Sequence, residues 1–67
     1  MACYTVEALD HDGYWLRRDT DIEKRKNAIK LARDWIEDNE LITDDLRKVE
    51  VSNALGVVIF DIYLTDY

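Results

Sequence analysis

Asp10-His11-Asp12 is the densest group of potential metal ligands in this 67-residue chain. A divalent ion would need all three side chains to converge, with further ligands supplied from elsewhere. The Ca²⁺-loop spacing, with glycine at its sixth position and glutamate at its twelfth, does not follow. Asp12-Gly13 is also the pair that a tight hairpin turn selects for backbone reasons. The sequence therefore predicts a turn here and no metal site. Cys3 is the one cysteine and His11 the one histidine, so neither an intrachain disulfide nor a Cys/His zinc site can be assembled. No basic neighbour in sequence lowers the pKa of the Cys3 thiol. There is no glycine-rich phosphate loop and no Ser/His/Asp arrangement. Carboxylates are abundant, but nothing marks two of them as an acid and base pair. The expectation is a chain with no catalytic residues and no cofactor, hence not an enzyme.

Charge is distributed unevenly. Arg17, Arg18, Lys24, Arg25, Lys26, Lys30 and Arg33 form a basic stretch beside Tyr14 and Trp15, a combination that elsewhere grips phosphates and stacks bases. Asp19, Asp21 and Glu23 interrupt it, and the formal net charge is −6. An acidic chain is repelled by nucleic acid and by anionic lipid, so direct nucleic-acid binding and membrane binding are not expected. Downstream, Asp34, Glu37, Asp38, Glu40, Asp44 and Asp45 follow one another with no base among them. Helix ends favour the reverse, with acids at the N-terminus and bases at the C-terminus. Carboxylates at i, i+3 and i+4 stand about 5–6 Å apart on a helix, similar to phosphate spacing along a nucleic-acid strand. These six acids are the candidate binding residues, suited to a basic groove that normally holds nucleic acid. The competing reading is structural, with Arg47 and Lys48 folding back to neutralise them.

Positioning these groups requires elements, and hydrophobic period identifies them. Residues 3–9 alternate, with Tyr4, Val6 and Ala8 on one side and Thr5 and Glu7 on the other. Residues 14–18 read as the returning strand after the Asp10–Gly13 turn. Thr20-Asp21-Ile22-Glu23 matches a capping box, which predicts an amphipathic helix from about Thr20 to Glu40. Ala28, Leu31, Ala32, Trp35 and Ile36 lie on its inner face. Residues 47–52 alternate again, and Asn53-Ala54-Leu55-Gly56 is a second turn. Residues 57–64 are the most apolar segment; Val58, Phe60, Ile62 and Leu64 are expected to face the helix, and apolarity on both faces suggests a central strand. The predicted fold is α+β, β-β-α-β-β: a four-stranded antiparallel sheet with one helix packed on one face.

A chain of this length is expected to form a single domain, 1–67, burying only about 60% of its unfolded surface. Apolar content is 48% and proline is absent, which fits a globular chain without Pro-rich recognition segments. No stretch approaches the ~20 apolar residues of a membrane span, and Met-Ala-Cys-Tyr-Thr-Val-Glu lacks the basic and apolar regions of a signal peptide. A cytoplasmic location follows as an expectation. In size, acidity, single-helix-plus-sheet plan and lack of an active-site motif, the whole chain resembles small phage-encoded inhibitor proteins, of the anti-CRISPR and anti-restriction kind that mimic DNA. The resemblance implies a non-enzymatic inhibitor, monomeric or weakly dimeric, whose partner is a protein with a basic surface. The alternative is a small accessory domain that acts through a sheet edge, self-association or an apolar patch near Tyr63 and Tyr67.

Overall fold

Two turns of one design set the architecture. In the computed structural model, which describes residues 3–37 and 45–64, the Asp10 N–H donates to the Tyr14 carbonyl at 2.8 Å, and the Gly13 N–H donates to the Asp10 carbonyl at 3.2 Å. The Asp10 carboxylate accepts from the N–H groups of Asp12 (2.9 Å) and Tyr14 (2.8 Å). Asn53 repeats the pattern: its N–H donates to Val57, its carbonyl accepts from Gly56, and its side-chain oxygen accepts from Leu55 and Val57. Each turn closes on a glycine with positive φ, Gly13 at 89° and Gly56 at 81°. This is the three-residue hairpin in which a left-handed residue follows a type I turn, and an Asx side chain at its head satisfies two backbone donors.

These turns join β1 (Tyr4–Asp10) to β2 (Trp15–Ile22) and β3 (Leu46–Ser52) to β4 (Val58–Tyr63), with helix α1 (Arg25–Glu37) between the hairpins. The sheet is antiparallel, in the order β2-β1-β3-β4. The predicted α+β fold is therefore the observed one. The expectation that the last strand is central is not met: β4 is an edge, and the two strands that alternate most cleanly, β1 and β3, occupy the centre. Their second face carries Glu7, Lys48 and Glu50, with Leu9 the one large aliphatic residue among them. In a two-layer antiparallel sheet, that alternation marks a central strand as well as continuous apolarity does.

The core is the seam between α1 and the two central strands. Val6, Ala8, Val49, Val51 and Leu46 are buried from the sheet, and Ala28, Ala32 and Trp35 from the helix. The small Ala28 and Ala32 side chains let the helix lie close to the sheet, and Trp35 is the one large side chain the helix buries in the core. One helix is about 10–12 Å wide, narrower than four strands spaced about 4.8 Å apart. The margins are closed differently. The Arg17 guanidinium lies over the Trp35 ring at 5.5 Å on the β2 side, and Arg33 lies over Phe60 at 5.8 Å on the β4 side. Arginine stems and guanidinium planes, one from β2 and one from the helix, thus cover aromatic rings at the two margins of the core.

Two further expectations are corrected. The helix does not begin at Thr20. Residues 20–22 continue β2, with Ile22 paired to Tyr4 and packed against the core, so the ladder and the burial of Ile22 outweigh the local capping box. Lys24 stands at the helix start, its carbonyl accepting from Asn27 and Ala28 at 3.1 Å each. The expected helix end near Glu40 lies outside the described residues. Val58 does not face the helix. A register shift between Val51 and Ser52 pairs Val58 with Ser52 and leaves it 45% exposed, while Ile59 packs against the core. Tyr14, Trp15 and Leu16 are all exposed, and Arg17 takes the inward position.

Candidate functional site

Strand register and the helix path place several acids at one end of the molecule. Leu46 is the Cα partner of Asp10, so Asp45, one residue earlier, adjoins the Asp10–Gly13 turn. Trp35 lies beneath Arg17, whose strand partner is Ala8. The C-terminal turns of α1 therefore run toward that same end. Asp12, Asp34, Glu37 and Asp45 are exposed. Of the six candidate binding residues, Asp34 and Glu37 stand on the outer surface of the helix and Asp45 at the mouth of β3; Asp38, Glu40 and Asp44 lie outside the described residues. The helix carries no acid in its first turn and no base in its last. The misplacement of charge against the macrodipole is thus sharper than in the sequence, because Asp21 and Glu23 fall outside the helix. Each such placement costs about 0.3–1 kcal/mol at low salt.

The two cations considered as neutralising partners are engaged elsewhere. Lys48 pairs with Glu50 at 2.5 Å and lies over the Tyr63 ring at 5.2 Å; Arg47 lies over the same ring at 5.9 Å. The hydrogen bond to Glu50 raises the Lys48 pKa above the ordinary lysine value. Desolvation opposes that shift, while the Glu50 charge and Tyr63 reinforce it.

The opposite end is basic at the helix start, where Lys24, Arg25 and Lys26 are exposed with Glu23 among them. An open depression of about 400 Å³ lies at that end on the face away from the helix, lined by Cys3, Thr5, Arg18, Thr20 and Ser52 among others. Glu7 and Arg18, 4.0 Å apart across β1 and β2, already pair within it. In the 10–12 turn the Asp10 carboxylate is committed to backbone donors, and among the described residues no three His, Cys, Asp or Glu side chains converge as metal ligands.

No family model, no curated protein and no solved structure matches this chain. The geometry of its own residues is therefore what bears on function. No helix among the described residues is long and apolar enough to cross a membrane.

A second charged surface escaped the sequence reading. On the sheet face away from the helix, Arg18, Glu7, Glu50 and Asp61 form one cross-strand row, and Trp15, Leu9, Lys48 and Tyr63 the next. Glu7 and Glu50 are neighbours only through the β1–β3 pairing. The alternation of Thr5/Glu7 and of Lys48/Glu50 marked them as outward-facing, but nothing local in the sequence joins them.

Proposed function

We propose that this chain is a non-enzymatic protein-binding inhibitor. Its acidic end, which presents Asp34, Glu37 and Asp45, engages the basic nucleic-acid-binding surface of a target such as a CRISPR or restriction complex, and Asp38, Glu40 and Asp44, which fall between them in sequence, contribute to the same contact. The observation that carries this reading is the helix with no acid in its first turn and no base in its last. A domain with only a few kcal/mol of stability keeps an arrangement that its own dipole disfavours. The convergence of the Asp10–Asp12 turn on the same end adds to the field there. Exposed carboxylates of this kind mainly raise association rate and select partners by complementary potential.

The test is capture of target from a host lysate on the immobilised chain, with elution by double-stranded DNA and by a salt gradient. Binding is expected to weaken steeply between 50 and 500 mM salt, to be displaced by DNA, and to be lost in the triple variant Asp34→Asn, Glu37→Gln, Asp45→Asn. Retention that is indifferent to salt and to the triple substitution would sink the reading.

A further inference from the structure

We infer that the free edge of β4 is a docking site for an extended segment of another protein, one that adds as a fifth strand and sets a basic residue beside Asp61. The inference starts from the unequal protection of the two sheet edges. The β2 edge is blunted in the ways that natural edges are. It is broken by two register shifts against β1, carries Asp21 at a φ of 62°, and presents Arg17, Arg18, Asp19 and Asp21. The β4 edge is less protected: its one register shift falls at Val58, where the strand begins, and among the described residues it holds no residue of positive φ other than glycine and no run of charges. Val58–Tyr63 contains no lysine, arginine or proline, and Asp61 is its one charged residue. Val57, Val58 and Tyr63 are exposed along or beside it.

Charge complementarity names the occupant. Asp61 ends the row Arg18–Glu7–Glu50–Asp61. Arg18 answers Glu7 and Lys48 answers Glu50, whereas no partner answers Asp61 among the described residues. An added strand places a side chain directly opposite, where an opposite charge stabilises and a like charge destabilises. Positions on the helix side of that strand would meet Phe60 and Ile62, so they should be apolar. The expected ligand therefore alternates, with apolar residues on one face and a lysine or arginine at the centre of the other. A second copy of this chain fits poorly: it would bring a second acidic row and another net charge of −6 against the first.

This inference is independent of the acidic-end reading, and its test keeps the two apart. The probe is the peptide Val-Thr-Val-Lys-Val-Thr-Val, titrated into the isotopically labelled full chain, with a Glu-for-Lys peptide as control. The expected result is chemical-shift change and slowed amide exchange confined to residues 57–64 and their β3 partners. Affinity should fall about twofold to fivefold for the Glu peptide and for Asp61→Asn, and stay unchanged in the Asp34/Glu37/Asp45 variant. No shift at β4, equal affinity for both peptides, or a chain that is dimeric without peptide and loses that state in Asp61→Lys would each overturn it.

Discussion

At the residue scale, the two hairpin turns are a matched pair in which one side-chain oxygen does the same work. Asp10 and Asn53 each accept two backbone N–H bonds. Asp10→Ala and Asn53→Ala should each cost about 1 kcal/mol, measured by urea denaturation, while Asp10→Asn should be close to neutral because the acceptor survives. Asp21 is held at positive φ in the irregular stretch where β2 pairs with the start of β1. A β-branched side chain is strained there and glycine is not. Asp21→Val should therefore lie about 1–2 kcal/mol below Asp21→Gly in stability. Lys48 gives a pH dependence of defined sign. Its pKa is raised in the folded state, so the stabilisation from its pair with Glu50 is complete below the ordinary lysine value of about 10.4. It is lost as pH rises through the folded value. The difference in denaturation midpoint between the parent chain and Lys48→Gln should be constant from pH 8 to 10 and narrow above that.

At the element scale, α1 is the part whose chemistry conflicts with its own geometry. Arg25→Glu and Glu37→Lys each place the charge that the dipole favours, and each should raise stability by about 0.3–1 kcal/mol at low salt. If the acidic end is a binding surface, Glu37→Lys gains stability and loses partner affinity, whereas Arg25→Glu gains stability alone. Thermal denaturation and binding measured side by side separate these outcomes. The inner face of this helix was readable from sequence because Ala28, Ala32 and Trp35 recur at helical spacing. Its start was not, because Thr20-Asp21-Ile22-Glu23 satisfies a local rule that pairing of Ile22 with Tyr4 overrides. For the same reason Val58 was misplaced: a register shift is a property of two strands and leaves no mark in either one. The acids of the candidate site were visible as a run from Asp34 to Asp45. Their proximity to the Asp10–Gly13 turn was not, since it depends on Asp10 meeting Leu46 across the sheet.

At the scale of the whole molecule, the order β2-β1-β3-β4 places one strand from each hairpin at the centre. Neither hairpin buries its apolar face until the other arrives. An isolated two-stranded hairpin is marginal in water at best, so the domain stands or falls as one unit. A core of this size leaves roughly 3–5 kcal/mol of net stability, and truncating a buried tryptophan costs about 3–5 kcal/mol. Trp35→Ala should therefore leave most molecules unfolded at 25 °C, with loss of amide dispersion in the NMR spectrum across the entire chain. The charge pattern is likewise global. Acids gather where α1 runs toward the Asp10–Gly13 turn, and Lys24, Arg25 and Lys26 gather where it starts. Such a polarised molecule turns its acidic end toward an approaching cationic surface before contact, an effect limited to about the 8–10 Å screening length of physiological salt.

The unequal burial of the two tryptophans gives the domain a pair of built-in optical reporters. Trp35 is 7% exposed under the Arg17 guanidinium, and Trp15 is 56% exposed on the far face of the sheet. Indole emission shifts to longer wavelength as water reaches the ring, so blue-edge emission belongs to Trp35 and red-edge emission to Trp15. A small quencher such as acrylamide will reach Trp15 first. Loss of the core changes the blue component, and a molecule settling on the bare face near β2 changes the red one. Stability and surface occupancy can thus be followed in the same cuvette without attaching a label.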